Sequence, residues 1–73
     1  MNNTLKVERA KKNITQAELA EKLNVSRLTI HSIETGKFNP SVQLALKMAA
    51  FFKLRVENLF LLEEKDNLNN NQN

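Results

Sequence analysis

Apolar positions recur at intervals of three and four along most of the chain, and period-two alternation is scarce. The pattern predicts helices and few strands. Helix starts are densely marked. Thr15-Gln16-Ala17-Glu18 reads as a capping box, in which the Thr15 hydroxyl serves the N–H of Glu18 and the Glu18 side chain reaches back. Ile14 and Leu19 flank it at the positions of a hydrophobic staple. The pattern repeats eleven residues on, with Ser26 as cap and Val25 and Ile30 as staple. One helix therefore runs from about Gln16 to Leu23 and buries Leu19, Ala20 and Leu23. Asn24-Val25 turns the chain, and the next helix runs from about Arg27 to Glu34 or Thr35, burying Ile30 and Ile33. Gly36 stops it, because glycine enters the left-handed region beyond a helix end at no steric cost. An earlier helix spans about Leu5 to Lys12. After the loop Lys37-Phe38-Asn39-Pro40, Ser41 opens a fourth helix that continues to about Phe52, and Val56 to Leu61 forms a short fifth.

The fourth helix is apolar on two stripes, Val42, Ala45, Ala49 and Phe52 on one and Leu44, Met48 and Phe51 on the other. Such a helix is either wholly buried or offers a second surface to another molecule. In so small a domain the second stripe, with Leu59, Leu61 and Leu62, is the candidate dimer interface. Residues 1–64 form the predicted domain, with the two-helix motif at 16–35. Residues 65–73, rich in Asn and without a core pattern, read as a flexible tail.

Composition narrows the function. Seventy-three residues make one domain with a modest core. There is no cysteine and a single histidine, so neither a disulfide nor a metal site is predicted, and no cofactor. No apolar run approaches the roughly 18 residues of a membrane span, and no secretory leader pattern opens the chain, so the reading is a soluble, cytoplasmic protein. The net charge of +3 is unevenly spread. Residues 1–55 hold ten Lys/Arg against four Glu, whereas residues 56–73 hold one Lys against four acidic residues. A basic body with an acidic end suits a polyanion on one face.

Two short helices joined by a tight turn, the second with a polar outer face, are the elements of a helix-turn-helix. With Ile30 and Ile33 inward, Arg27, Leu28, His31, Ser32 and Thr35 face outward. Arg27 and Leu28, at the helix start, would enter a major groove first. Arginine can donate twice to guanine O6 and N7, leucine can touch a thymine methyl, and Ser32 can bond a base edge or a phosphate. The backbone N–H groups at the two helix starts, capped by Thr15 and Ser26, suit phosphate oxygens together with Gln16, Thr29 and the loop residues Lys37 and Asn39.

The stretch Ile14 to Lys37 resembles the lambda-repressor/Cro-type helix-turn-helix family, also called the xenobiotic-response-element family. The resemblance rests on Gln16-x-x-Leu19-Ala20, Val25-Ser26-x-x-x-Ile30 and Ile33-Glu34-x-Gly36-Lys37. It continues through Asn39-Pro40-Ser41, Leu44 to Lys47 and Val56-Glu57-x-x-Phe60, and so covers about residues 5–62 in the manner of short, single-domain members. It implies an all-α, five-helix fold and a transcription regulator, a repressor, that binds a palindromic operator in double-stranded DNA as a homodimer. The third helix would be the reader. By position, Arg27, Leu28 and Ser32, with His31 beside them, match base-facing sites, and Gln16, Thr29 and Lys37 match backbone-contacting ones. Arg9 and Glu34 match an ion pair that ties the first helix to the end of the third. Some short relatives pair a C-terminal strand, so residues 61–64 are either helical or extended. Leu28 stands where many relatives carry Gln, and Glu8 where an apolar residue is common.

Plainer readings stand beside these. Arg27 and His31 also fit a solvated surface, Leu28 an ordinary exposed leucine, and Lys11 and Lys12 a helix end whose charge favours the dipole. The second stripe of the fourth helix also fits ordinary core. An alternative function is a protein-interaction module, such as an antitoxin that also binds its own promoter. An enzyme is not predicted, since there is no nucleophile constellation, no glycine-rich phosphate loop and little volume for a walled cleft. No small-molecule ligand is evident.

Overall fold

A computed structural model describes residues 2–61. Leu62, residues 63–64 and the predicted tail 65–73 lie outside the described residues. The elements are β1 (Asn2–Asn3), α1 (Leu5–Lys11), α2 (Gln16–Leu23), α3 (Arg27–Glu34), α4 (Val42–Phe52), α5 (Val56–Leu59) and β2 (Phe60–Leu61). The fold is the all-α, five-helix arrangement of the lambda-repressor type, closed by a two-residue antiparallel ribbon.

The caps that open α2, α3 and α4 are the predicted ones. Glu18 N–H donates to Thr15 Oγ1 at 3.0 Å and Thr15 N–H to Glu18 Oε1 at 2.7 Å, completing the box. Ser26 accepts from the N–H of Thr29 and Ser41 from that of Leu44. The four longer helices also end alike. At each end a residue in the left-handed region turns the chain, and two successive N–H groups bond back to the last turn. Gly36 fills that place after α3, with φ 80°, but Asn13, Asn24 and Lys53 fill it after α1, α2 and α4, with φ 57°, 59° and 57°. Asparagine tolerates this region through its short polar side chain. Lysine has no such compensation.

The core unites Leu5 of α1, Leu19, Ala20 and Leu23 of α2, Ile30 and Ile33 of α3, Met48 and Phe52 of α4, Leu59 and Phe60. Two expectations are corrected here. Met48 and Leu59 are fully buried within the single chain and have no surface to give a second copy. α5 packs against α4, and Met48 shares the core with Leu59 and Phe60. The exposed large apolar residues of α4 are instead Val42 and Leu46, 77% and 56% exposed, which 100° per residue places on one shoulder of the helix. Leu44 and Phe51 lie on the opposite shoulder, half-buried, and the Lys12 ammonium sits 5.6 Å from the Phe51 ring centroid. Leu61 remains exposed.

The fifth helix is also shorter than predicted, ending at Leu59. Phe60 and Leu61 are extended and pair with Asn3 and Asn2. A four-residue helix gains little by adding a turn. Extension instead buries the Phe60 ring and satisfies its backbone against the N-terminus. The ribbon also seats Asn3, whose side chain accepts from the N–H of Leu5 at 3.0 Å and donates to the Ile33 carbonyl at 2.8 Å. Thr4 N–H donates to the Leu59 carbonyl at 2.9 Å. The N-terminus thus fastens the far end of α3 to α5.

Candidate nucleic-acid interface

α2 and α3 pack through Leu19, Leu23, Ile30 and Ile33, all nearly or wholly inaccessible. Burying these four fixes the rotation of α3 about its axis, so Arg27, Leu28 and His31 stand in solvent and Ser32 is half-exposed. The Ser26 hydroxyl caps α3 and lies 2.8 Å from that of Thr29. Gln16, at the start of α2, comes alongside. Its Oε1 accepts from Arg27 Nη1 at 3.1 Å, and its Nε2 donates to Glu34 Oε1 at 2.9 Å and lies 3.4 Å from His31 Nδ1. Lys37 and Asn39 project from the exposed loop after α3.

Arg9 and Glu34 meet as expected. Arg9 Nε donates to Glu34 Oε2 at 2.8 Å and Nη2 to Oε1 at 3.3 Å, while Nη1 donates to the Ile14 carbonyl at 2.9 Å. The Arg9 side chain is 15% exposed and that of Glu34 3%. Beside this pair an open cleft of ≈ 510 Å³ runs between α1, the start of α2 and Arg27, lined by Asn13, Thr15 and Gln16 among others. The first residues of α2, Gln16 and Ala17, line it together with Arg9 and Arg27.

The structure therefore brings Gln16, Arg27, His31 and Glu34 into one hydrogen-bonded group and leaves Leu28, Ser32, Lys37 and Asn39 beside it on the surface. Sequence reasoning missed Phe38, which stands 52% exposed against α3. An aromatic residue between Lys37 and Asn39, in a loop with no helical period to bury it, was the signal available. Among the described residues no group of His, Asp and Glu is placed to hold a metal, and no helix is long and apolar enough to cross a membrane.

The helix-turn-helix family model matches residues 5–59. An uncharacterized HTH-type transcriptional regulator of Methanocaldococcus jannaschii is 50% identical over 90% of this chain and 100% of its own length. The HTH-type regulator YgzD of Bacillus subtilis is 39% identical, again over 90% of this chain and all of that protein. The HTH-type transcriptional activator BcrR of Enterococcus faecalis is 38% identical over 86% of this chain but only 31% of its own length. The chain belongs to the Cro/C1-type helix-turn-helix family of DNA-binding transcription regulators, a family that is not enzymatic.

Proposed function

We propose that the chain acts in the cytoplasm as a homodimeric repressor, with α3 of each copy in successive major grooves of a palindromic operator. Residues 1–64 form the binding unit. Arg27, Leu28, His31 and Ser32 meet base edges, and Gln16, Ser26, Thr29, Lys37 and Asn39 meet phosphates. The observation that carries this reading is the outward start of α3, where Arg27 and Leu28 stand exposed above a helix pinned by Ile30 and Ile33. Occupancy of the operator then blocks polymerase.

The second copy covers the outer shoulder of α4, where Val42 and Leu46 are exposed, together with Leu61. Exposed leucine and valine one turn apart on a helix favour an apolar partner. Selection of bound sites from a random duplex library tests the whole. Two inverted half-sites roughly 34 Å apart are expected. A single asymmetric site bound by one copy would overturn the dimer. Leu46→Glu, measured by sedimentation equilibrium, should leave a folded monomer with weakened operator binding.

A further inference from the structure

The outward face of α3 is polar apart from Leu28, which is 65% exposed, and the loop after the helix adds Phe38 at 52%. The N–H groups of Lys37 and Phe38 both donate to the Ser32 carbonyl, at 2.9 and 3.2 Å. These bonds fold the loop back along α3. Leu28 and Phe38 then line one open groove of ≈ 220 Å³, whose remaining walls are Ser26, Thr29 and Ser32.

The chemistry of the walls is specific. The Ser26 and Thr29 hydroxyls bond each other, and Ser26 also caps the helix. Among the described residues the Ser32 hydroxyl has no partner, although its carbonyl accepts from Thr35 Oγ1 as well as from the loop. The groove thus offers two apolar sides and one free hydroxyl, within a face whose neighbours are Arg27 and Lys37. On the major-groove edge of a base pair the only apolar group is the C5 methyl of thymine, and the acceptor beside it is O4. We infer that the groove is a thymine slot, in which Leu28 and Phe38 close on the methyl while Ser32 Oγ donates to O4 of the same base. The inference rests on α3 being the major-groove helix, and it names the base that its groove reads. Phe38, outside the helix-turn-helix, becomes a specificity-determining residue.

The test uses the full chain and a duplex selected by it from a random library. Each thymine is replaced in turn by deoxyuridine, which removes the methyl and leaves every hydrogen-bonding group in place. One thymine per half-site should lose about fourfold in affinity on this change, the equivalent of the ~0.8 kcal/mol of one buried methyl. Leu28→Ala and Phe38→Ala, both at exposed positions, should bind the thymine duplex more weakly and no longer distinguish it from the deoxyuridine one. Placing 4-thiothymine at the same position retains the methyl and the pairing but replaces O4 by sulfur, a weak acceptor, so Ser32→Ala should then matter less than it does against thymine. The slot is overturned if the wild-type chain tolerates every deoxyuridine within about 1.5-fold, well under the methyl's share. It is equally overturned if both variants keep the wild-type sensitivity. Those outcomes leave the operator reading standing, whereas failure to select any duplex overturns both.

Discussion

Replacing Arg9 by methionine separates the domain's stability from its surface charge. Methionine keeps much of the arginine stem but removes the guanidinium that neutralises Glu34. The Glu34 side chain is 3% exposed, so its carboxylate stays buried with one remaining donor, Gln16 Nε2 at 2.9 Å. The Ile14 carbonyl also loses the 2.9 Å bond it accepts from Arg9. An orphaned buried charge of this kind costs about 3–5 kcal/mol. A chain of this length holds about 4–11 kcal/mol in all, at roughly 0.05–0.15 kcal/mol per residue. Arg9→Met therefore removes a large share of the total, and its thermal midpoint should fall by more than about 12 °C. Replacing both partners, Arg9→Met with Glu34→Leu, removes the charge that had been stranded. The pair then leaves only the Ile14 carbonyl and the Gln16 amide short of a bond, at about 1 kcal/mol each. Urea denaturation followed by far-ultraviolet circular dichroism measures the two single variants, Arg9→Met and Glu34→Leu, and the double. The double variant should be more stable than Arg9→Met alone, a strong departure from additivity. If the two single losses simply add, or if Arg9→Met costs under about 1 kcal/mol, the ion pair is a surface contact and the burial argument fails.

Other perturbations address recognition and the helix ends. Arg27→Ala should cost about 1–3 kcal/mol on the preferred duplex and relax sequence preference, read by titrating selected and scrambled duplexes. Equal loss on both would refute a base contact. Lys37→Ala should weaken binding to every sequence and flatten the slope of log K against log salt by about one unit, and an unchanged slope would remove it from the phosphate contacts. Lys53→Gly should stabilise the chain by about 0.5–1 kcal/mol, because a left-handed lysine with φ 57° pays a Cβ penalty that glycine does not. No rise in the urea midpoint would show that the lysine side chain has compensating contacts.

The starts of α2, α3 and α4 were legible because each is written in a few adjacent residues. Thr15 and Glu18, Ser26, and Ser41 all act at a distance of three positions, and the structure shows each bond. The ends were less legible. Gly36 announces a left-handed turn, but Asn13 and Lys53 adopt the same conformation where the following residue, Ile14 or Leu54, packs against the core. The N-terminal strand left no periodic trace, since two asparagines become a strand only when Phe60 and Leu61 are there to pair with them. The same long-range packing decided α4. A helical wheel separates its faces but cannot say which is covered by α5, so Met48 reads as interface when it is core, and Val42, grouped with Ala45, Ala49 and Phe52, stands exposed beside Leu46. On α3 the pinning residues are local, and the outward set was readable. Phe38 was not, because its position depends on two backbone bonds to Ser32.

Gln16 stands where stability and recognition meet, and its two proposed duties predict different failures. Its amide is committed at both ends in the free protein, through Nε2 to the Glu34 carboxylate and through Oε1 to Arg27. Arginine has five N–H donors, so one spent on Gln16 leaves enough to address a guanine edge, now from a restrained position. If the amide serves mainly as a phosphate contact, Gln16→Ala weakens selected and scrambled duplexes alike. If it serves mainly to aim Arg27, the selected duplex suffers more and the ratio between the two falls. Glu34 keeps both bonds from Arg9 in this variant, so the cost in stability should stay near 1 kcal/mol. The same titrations that test Arg27→Ala decide between the two. Combining the variants sharpens the result: once Arg27 is absent, an aiming residue has nothing left to aim, and the further loss of discrimination on removing Gln16 should vanish. A full additional loss of discrimination in the double variant would mean that Gln16 reads the duplex on its own account.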